Sequence, residues 1–86
     1  MAYLIDEENH SDLAVARTVR DAIDWLVNTK WLTPESEVWN SENGALNGKN
    51  LEELGRWEAV HDLSIEELQE LGFYLTKIKM VGEVEE

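Results

Sequence analysis

No cysteine occurs among the 86 residues, and that absence decides how the chain must be held together. Neither disulfides nor a thiolate zinc site can contribute, so packing of apolar side chains has to carry the fold. A chain this short buries only about 60–65% of its unfolded surface, which leaves a thin margin of stability. There is room for one core, and residues 1–86 are read as a single domain. The apolar fraction of 43% includes Trp25, Trp31, Trp39 and Trp57, each able to bury a large area. That content is too high for a disordered acidic tail.

Residues Asp12 to Thr29 carry the strongest periodicity. Val15, Val19, Ala22, Ile23, Leu26 and Val27 fall on one arc of a helical wheel, with Ala16 inside it. Arg17, Arg20, Asp21, Asp24 and Asn28 take the opposite face. The spacing predicts one helix, capped by Asn9 or Ser11, with Arg17–Asp21 and Arg20–Asp24 as i,i+4 pairs. Thr33-Pro34-Glu35 reads as a second helix start, good for a turn or two. Asn43-Gly44 and Asn47-Gly48 are turn dipeptides, with Ala45 and Leu46 at the centre of a candidate hairpin.

Two capping-box phrases follow. Asn50 precedes Glu53 by three, and Ser64 precedes Glu67 by three, so helices are expected from Leu51 and Ile65. Leu63 and Leu68 sit at hydrophobic-staple positions around the second. The final segment admits two periods. As a helix, Leu68, Leu71, Leu75 and Ile78 form a stripe that stops at Gly82. As a strand after a break at Gly72, Tyr74, Thr76, Ile78 and Met80 alternate with Lys77 and Lys79, and Tyr3-Leu4-Ile5 is the obvious partner. The helical period is preferred. The expected architecture is all-α: a compact bundle of three or four helices with a turn-rich middle from about Asn40 to Asn50. The alternative is α+β with short paired terminal strands.

Nineteen acids face seven bases, a net charge of −12. Nucleic acid and anionic lipid would both be repelled, so direct contact with either is not expected. No apolar run approaches the ~18 residues of a membrane span. Met1 to Ile5 is followed by Asp6-Glu7-Glu8, unlike the basic start of a signal peptide, so a cytoplasmic protein is expected. There is no phosphate loop, nucleophile elbow or paired metal histidine motif. His10 and His61 stand alone; Ser36 and Ser64 are better read as a turn residue and a cap. Neither an enzyme nor a cofactor is indicated.

Charge is uneven along the chain. Residues 31–76 hold ten acids against two bases, a net of −8. Glu58 with Asp62, and Glu66 with Glu70, are like charges at i,i+4, which costs a few tenths of a kcal/mol if helical. Their β-carbons would lie about 5–6 Å apart, close to the spacing of successive phosphates along a strand. Such a row suits a basic groove built for nucleic acid. A merely solvated face has the same look, and capping alone accounts for Glu53 and Glu67. Trp39 and Trp57, each flanked by acids, read either as core or as anchors against an arginine-rich surface.

Leu63-Ser64-Ile65-Glu66-Glu67-Leu68-Gln69-Glu70-Leu71-Gly72-Phe73 resembles the phrase that closes a sterile alpha motif domain, a five-helix interaction module. Asn47-Gly48 followed by Leu51 is similar to its middle turn. The likeness covers about a quarter of the chain, and fourteen residues after Gly72 leave little for that family's long last helix. Membership is not assigned. In size and charge the chain is also similar to small phage-encoded inhibitors, including DNA mimics and anti-CRISPR proteins, a likeness of composition that carries no site. The expected function is stoichiometric binding to a protein with a basic surface, such as a nucleic-acid-handling enzyme. The candidate contacts are Glu52, Glu53, Glu58, Asp62, Glu66, Glu67, Glu70, Trp39 and Trp57. The alternative is an adaptor subunit that docks through an apolar or tryptophan patch.

Overall fold

The computed structural model describes residues 1–79. Their order is β1 (Ala2–Glu7), β2 (His10–Ala16), α1 (Val19–Asn28), a 3-10 turn (Val60–Asp62), α2 (Ile65–Glu70) and β3 (Phe73–Ile78). The three strands form one antiparallel sheet in the order β2-β1-β3, with the N-terminal strand in the centre.

The expected all-α bundle is therefore not the fold; the protein is α+β, and neither a helical bundle nor the five-helix module describes it. Two segments account for the difference. His10–Ala16 belongs to a hairpin with β1, not to a long first helix. Val15 fits a helical arc by spacing, yet it pairs with Leu4 and lies on the sheet's outer face, 50% exposed. The real helix starts seven residues later than expected, at Val19, capped by Thr18, whose hydroxyl accepts from the Asp21 N–H at 3.0 Å. The second segment is Phe73–Ile78, which pairs with β1 along its whole length, from Ala2↔Ile78 to Glu7↔Phe73. Gly72, at φ +91°, ends α2 and turns the chain into that strand. The stop expected at Gly82 and the strand position of Met80 lie outside the described residues.

The β1–β2 hairpin is uneven. Tyr3, Leu4 and Ile5 pair with Ala16, Val15 and Ala14, and the register then shifts before Glu7↔His10. Asp12 takes φ +56° within the shift, a conformation that aspartate tolerates better than most residues. Its backbone N–H donates to Asp6 Oδ1 at 2.7 Å, so a carboxylate supplies the partner that the irregular ladder lacks.

Period-two alternation gives the sheet two unlike faces. Ile5, Phe73, Leu75 and Ala16 enter the core with Ala22, Ile23 and Leu26 of α1, and with Leu32, Val38, Leu51, Val60, Leu63, Leu68 and Leu71. Each fully buried Leu or Ile contributes about 1.5–3 kcal/mol by leaving water. Trp25, Trp31 and Trp57 lie partly buried against this cluster.

The middle is turn-rich as expected, but no helix begins at Pro34 or Leu51. Thr33 and Ser36 close a turn on each other: Thr33 N–H donates to Ser36 Oγ, and Ser36 N–H to the Thr33 carbonyl. The Asn50–Glu53 box forms with both hydrogen bonds, yet it opens only a run of turns. A hairpin centred on Ala45 and Leu46 is also absent; an isolated bridge between Glu37 and Asn50 closes the loop instead. Val38 and Leu51, both buried, anchor its two ends.

Candidate binding face

α2 is the short element on which the site is built. Six residues do not hold a helix by propensity, and this one depends on its ends. Ser64 Oγ accepts from the Glu67 N–H at 3.1 Å, and Glu67 Oε1 accepts from the Ser64 N–H at 3.0 Å. At the other end, the Glu70 carbonyl accepts from the N–H groups of Trp39 (3.0 Å) and Asn40 (3.2 Å), which satisfies one of the helix's orphan carbonyls. That contact lays the middle loop alongside α2.

Between loop and helix is an open cleft of about 360 Å³, lined by Asn40, Glu42, Glu66, Gln69, Glu70 and Tyr74. Three of its six lining side chains are glutamates, so it presents anionic acceptors to whatever enters. Trp39, next in sequence to Asn40, is 45% exposed. Its indole lies against Gly72, whose missing side chain makes room for it. Tyr74, on the cleft wall, donates its phenol proton to Glu8 Oε2 at 2.7 Å. That hydrogen bond, aided by desolvation and the charges of Glu8 and Glu7, raises the phenol's pKa.

The candidate contacts separate into groups. Glu66 and Glu70 line the cleft, one helical turn apart, with Trp39 nearby. The Glu67 carboxylate accepts from the Ser64 N–H at the cap of α2, and that of Glu53 from the Asn50 N–H at the turn that follows. Arg56 Nη1 lies 3.6 Å from both Glu67 Oε2 and Glu70 Oε1. Asp62 faces away to α1, where Arg20 Nη1 meets its Oδ1 at 3.1 Å. Arg20 is thus paired across the fold, not with Asp24, and Asp24 meets His61 Nε2 at 3.4 Å. Arg17 precedes the helix, so its expected pair with Asp21 has no helical frame. Glu58 and Asp62 share no α-helix either, since only Val60–Asp62 is helical there, as a 3-10 turn. Glu52 and Glu58 are exposed. Trp57 packs against the core. The acids from Glu52 to Glu70 are therefore not one continuous row.

Glu42, Asn40, Gln69 and Tyr74 were not among the expected contacts. Glu42 had a sequence signal, being an acid beside the Asn43-Gly44 turn, but its position opposite α2 depends on a long-range contact.

At the hairpin turn, Glu7 Oε1 accepts from His10 Nδ1 at 2.9 Å and from the Asn9 N–H at 2.8 Å. The His10 hydrogen bond is the larger cause of a lowered Glu7 pKa. His10 also meets Trp31 edge-on, with ring centroids 5.1 Å apart. Among the described residues, no group of three or more His, Asp or Glu side chains is placed to hold a metal ion. No helix there is long and apolar enough to cross a membrane. Comparison with protein-family models, curated proteins and solved structures finds no match to this chain.

Proposed function

We propose that this chain is a small acidic binding protein that occupies a basic surface of a partner protein. A stoichiometric inhibitor or regulator of a nucleic-acid-handling enzyme, working in the cytoplasm as phage-encoded DNA mimics and anti-CRISPR proteins do, is the form this takes. The observation that supports it is the exposed Trp39 beside a cleft walled by Glu42, Glu66 and Glu70. Carboxylates there accept guanidinium or ammonium donors, and an exposed indole adds cation–π contact. The contact region is narrower than the acidic half of the chain. The Glu53 and Glu67 carboxylates accept cap hydrogen bonds and Asp62 pairs with Arg20 on the far side, whereas Glu70, though 3.6 Å from Arg56, lines the cleft.

A second reading is an adaptor that docks through the sheet's outer face, where Val15 is 50% exposed beside Leu4. Salt separates the two, because attraction between exposed charges fades over about 8 Å at physiological ionic strength and over less in stronger salt. The test is affinity capture from the native host's lysate at low and high salt, using the unaltered protein and a Glu66→Lys/Glu70→Lys variant. A captured protein lost both in high salt and with the variant supports the acidic cleft. One that is retained under both conditions favours the adaptor and removes the cleft from consideration.

A further inference from the structure

Arg56 is held close to the proposed contact face in an unusual way. Its backbone is fixed: the N–H donates to the Leu51 carbonyl at 2.8 Å, within the turns that follow Asn50. Its head is not. Nη1 stands 3.6 Å from Glu67 Oε2 and 3.6 Å from Glu70 Oε1, beyond hydrogen-bonding distance for either. The guanidinium thus meets the two carboxylates as an ion pair, with neither engaged in the two-pronged geometry that makes arginine pairs strong. Partial burial, with the arginine side chain 29% exposed and its partners 34% and 24%, protects the contact from full solvent screening. Glu70 belongs to both arrangements, since it faces Arg56 and lines the cleft.

We propose that Arg56 is an internal competitor for the acidic face. It is a guanidinium of the chain's own that an incoming arginine displaces from Glu70, and its presence lowers affinity for arginine-rich partners. The inference rests on the acidic-cleft reading above and adds a regulating contact to it. Because no hydrogen bond has to break, displacement is cheap, and an incoming guanidinium able to bond Glu70 at proper length wins the exchange. Arg56 then acts as a threshold: single weak cations leave it in place, and a partner that fills the cleft while meeting Glu70 removes it.

The test uses the full chain and an oligo-arginine peptide of fixed length, with affinity measured by fluorescence anisotropy. Arg56→Gln is compared with Arg17→Gln, which removes the same charge at the far end of the sheet. Arg56→Gln is expected to tighten binding about two- to fivefold beyond Arg17→Gln, the scale of a partly screened ion pair. Equal tightening by the two variants overturns the proposal. A second measurement needs no substitution: the Arg56 Nε–H resonance of the unaltered protein should move as peptide saturates, and a resonance that stays put overturns it too. Glu66→Lys/Glu70→Lys separates the levels. If that variant binds the peptide like the unaltered protein, the cleft reading itself fails. If it binds weakly while Arg56→Gln matches Arg17→Gln, only the competitor role fails.

Discussion

Trp39 lies so close over Gly72 that a β-carbon at position 72 would stand 2.9 Å from the indole Nε1 and 3.1 Å from Cζ2. The glycine therefore does two things: it adopts the left-handed turn that ends α2, and it seats the exposed tryptophan beside the cleft. Gly72→Ala should cost about 1–2 kcal/mol for the backbone and additionally push the indole away. Gly48→Ala is the control, since Gly48 has φ +87° with no atom within 4 Å of its missing β-carbon. Urea unfolding should show the larger loss at Gly72, together with a shift in Trp39 emission identified against Trp39→Phe. Equal losses and unchanged emission would remove the seating role.

The sheet makes opposite demands on two residues only ten apart. Ile5 is fully buried in the centre of β1, while Val15 is half exposed on the outer face. Ile5→Ala should destabilise by about 2–5 kcal/mol, enough to unfold much of a chain this small. Val15→Ala should cost less than about 1 kcal/mol, a strand-propensity effect. A helix over residues 12–29 would make Val15 a core position and give it a cost near that of Ile5.

Ser64→Ala removes one half of the capping box that holds α2 and should cost about 1 kcal/mol. Because α2 carries Glu66 and Glu70, the loss should also show as faster amide exchange from Ile65 to Glu70 than elsewhere. Uniform exchange across the protein would mean that packing of Leu68, not the cap, holds the helix.

Glu7 gives the protein an acid-sensitive contact. Its folded pKa is lowered below the ordinary 4.5 by the hydrogen bonds from His10 and the Asn9 N–H. A lowered carboxylate contributes stability that is present above the unfolded value and lost as pH falls through the folded one. The contribution is therefore present at pH 7 and fades below about pH 4.5. Carboxyl NMR titration should show the Glu7 midpoint rising in His10→Ala. A midpoint that does not move would assign the shift to the Asn9 N–H instead.

The helical core face of Ala22, Ile23 and Leu26 was legible, because its three- and four-residue spacing has one interpretation. So were the Ser64–Glu67 box and the turns at Asn43-Gly44 and Asn47-Gly48, all local devices. β2 was not, because Val15 and Ala16 satisfy a helical arc as well as a strand, and the hairpin turn at Glu8-Asn9 contains no glycine to mark it. β3 carried both periods, and only pairing with β1, some seventy residues away in sequence, decides between them. The site shows the same division. Glu66 and Glu70 were visible as an i,i+4 pair, but Glu42 reaches the cleft through Val38 and Leu51 closing the loop and Trp39 docking on Glu70. Asp62 looked free in sequence and is engaged by Arg20, 42 residues away. Local spacing carries no information about such partners.

The central claim is that position, more than total charge, makes the acidic cleft a binding face. Two triple variants with the same net charge test it: Glu42→Lys/Glu66→Lys/Glu70→Lys and Glu35→Lys/Glu52→Lys/Glu58→Lys. Both would first be checked for native circular dichroism, and dissociation constants would then be measured against the captured partner. The first triple should weaken binding at least about tenfold, a loss of roughly 1.4 kcal/mol, and the second should stay within about threefold. Equal weakening by both would show that diffuse charge, and no cleft, governs the encounter.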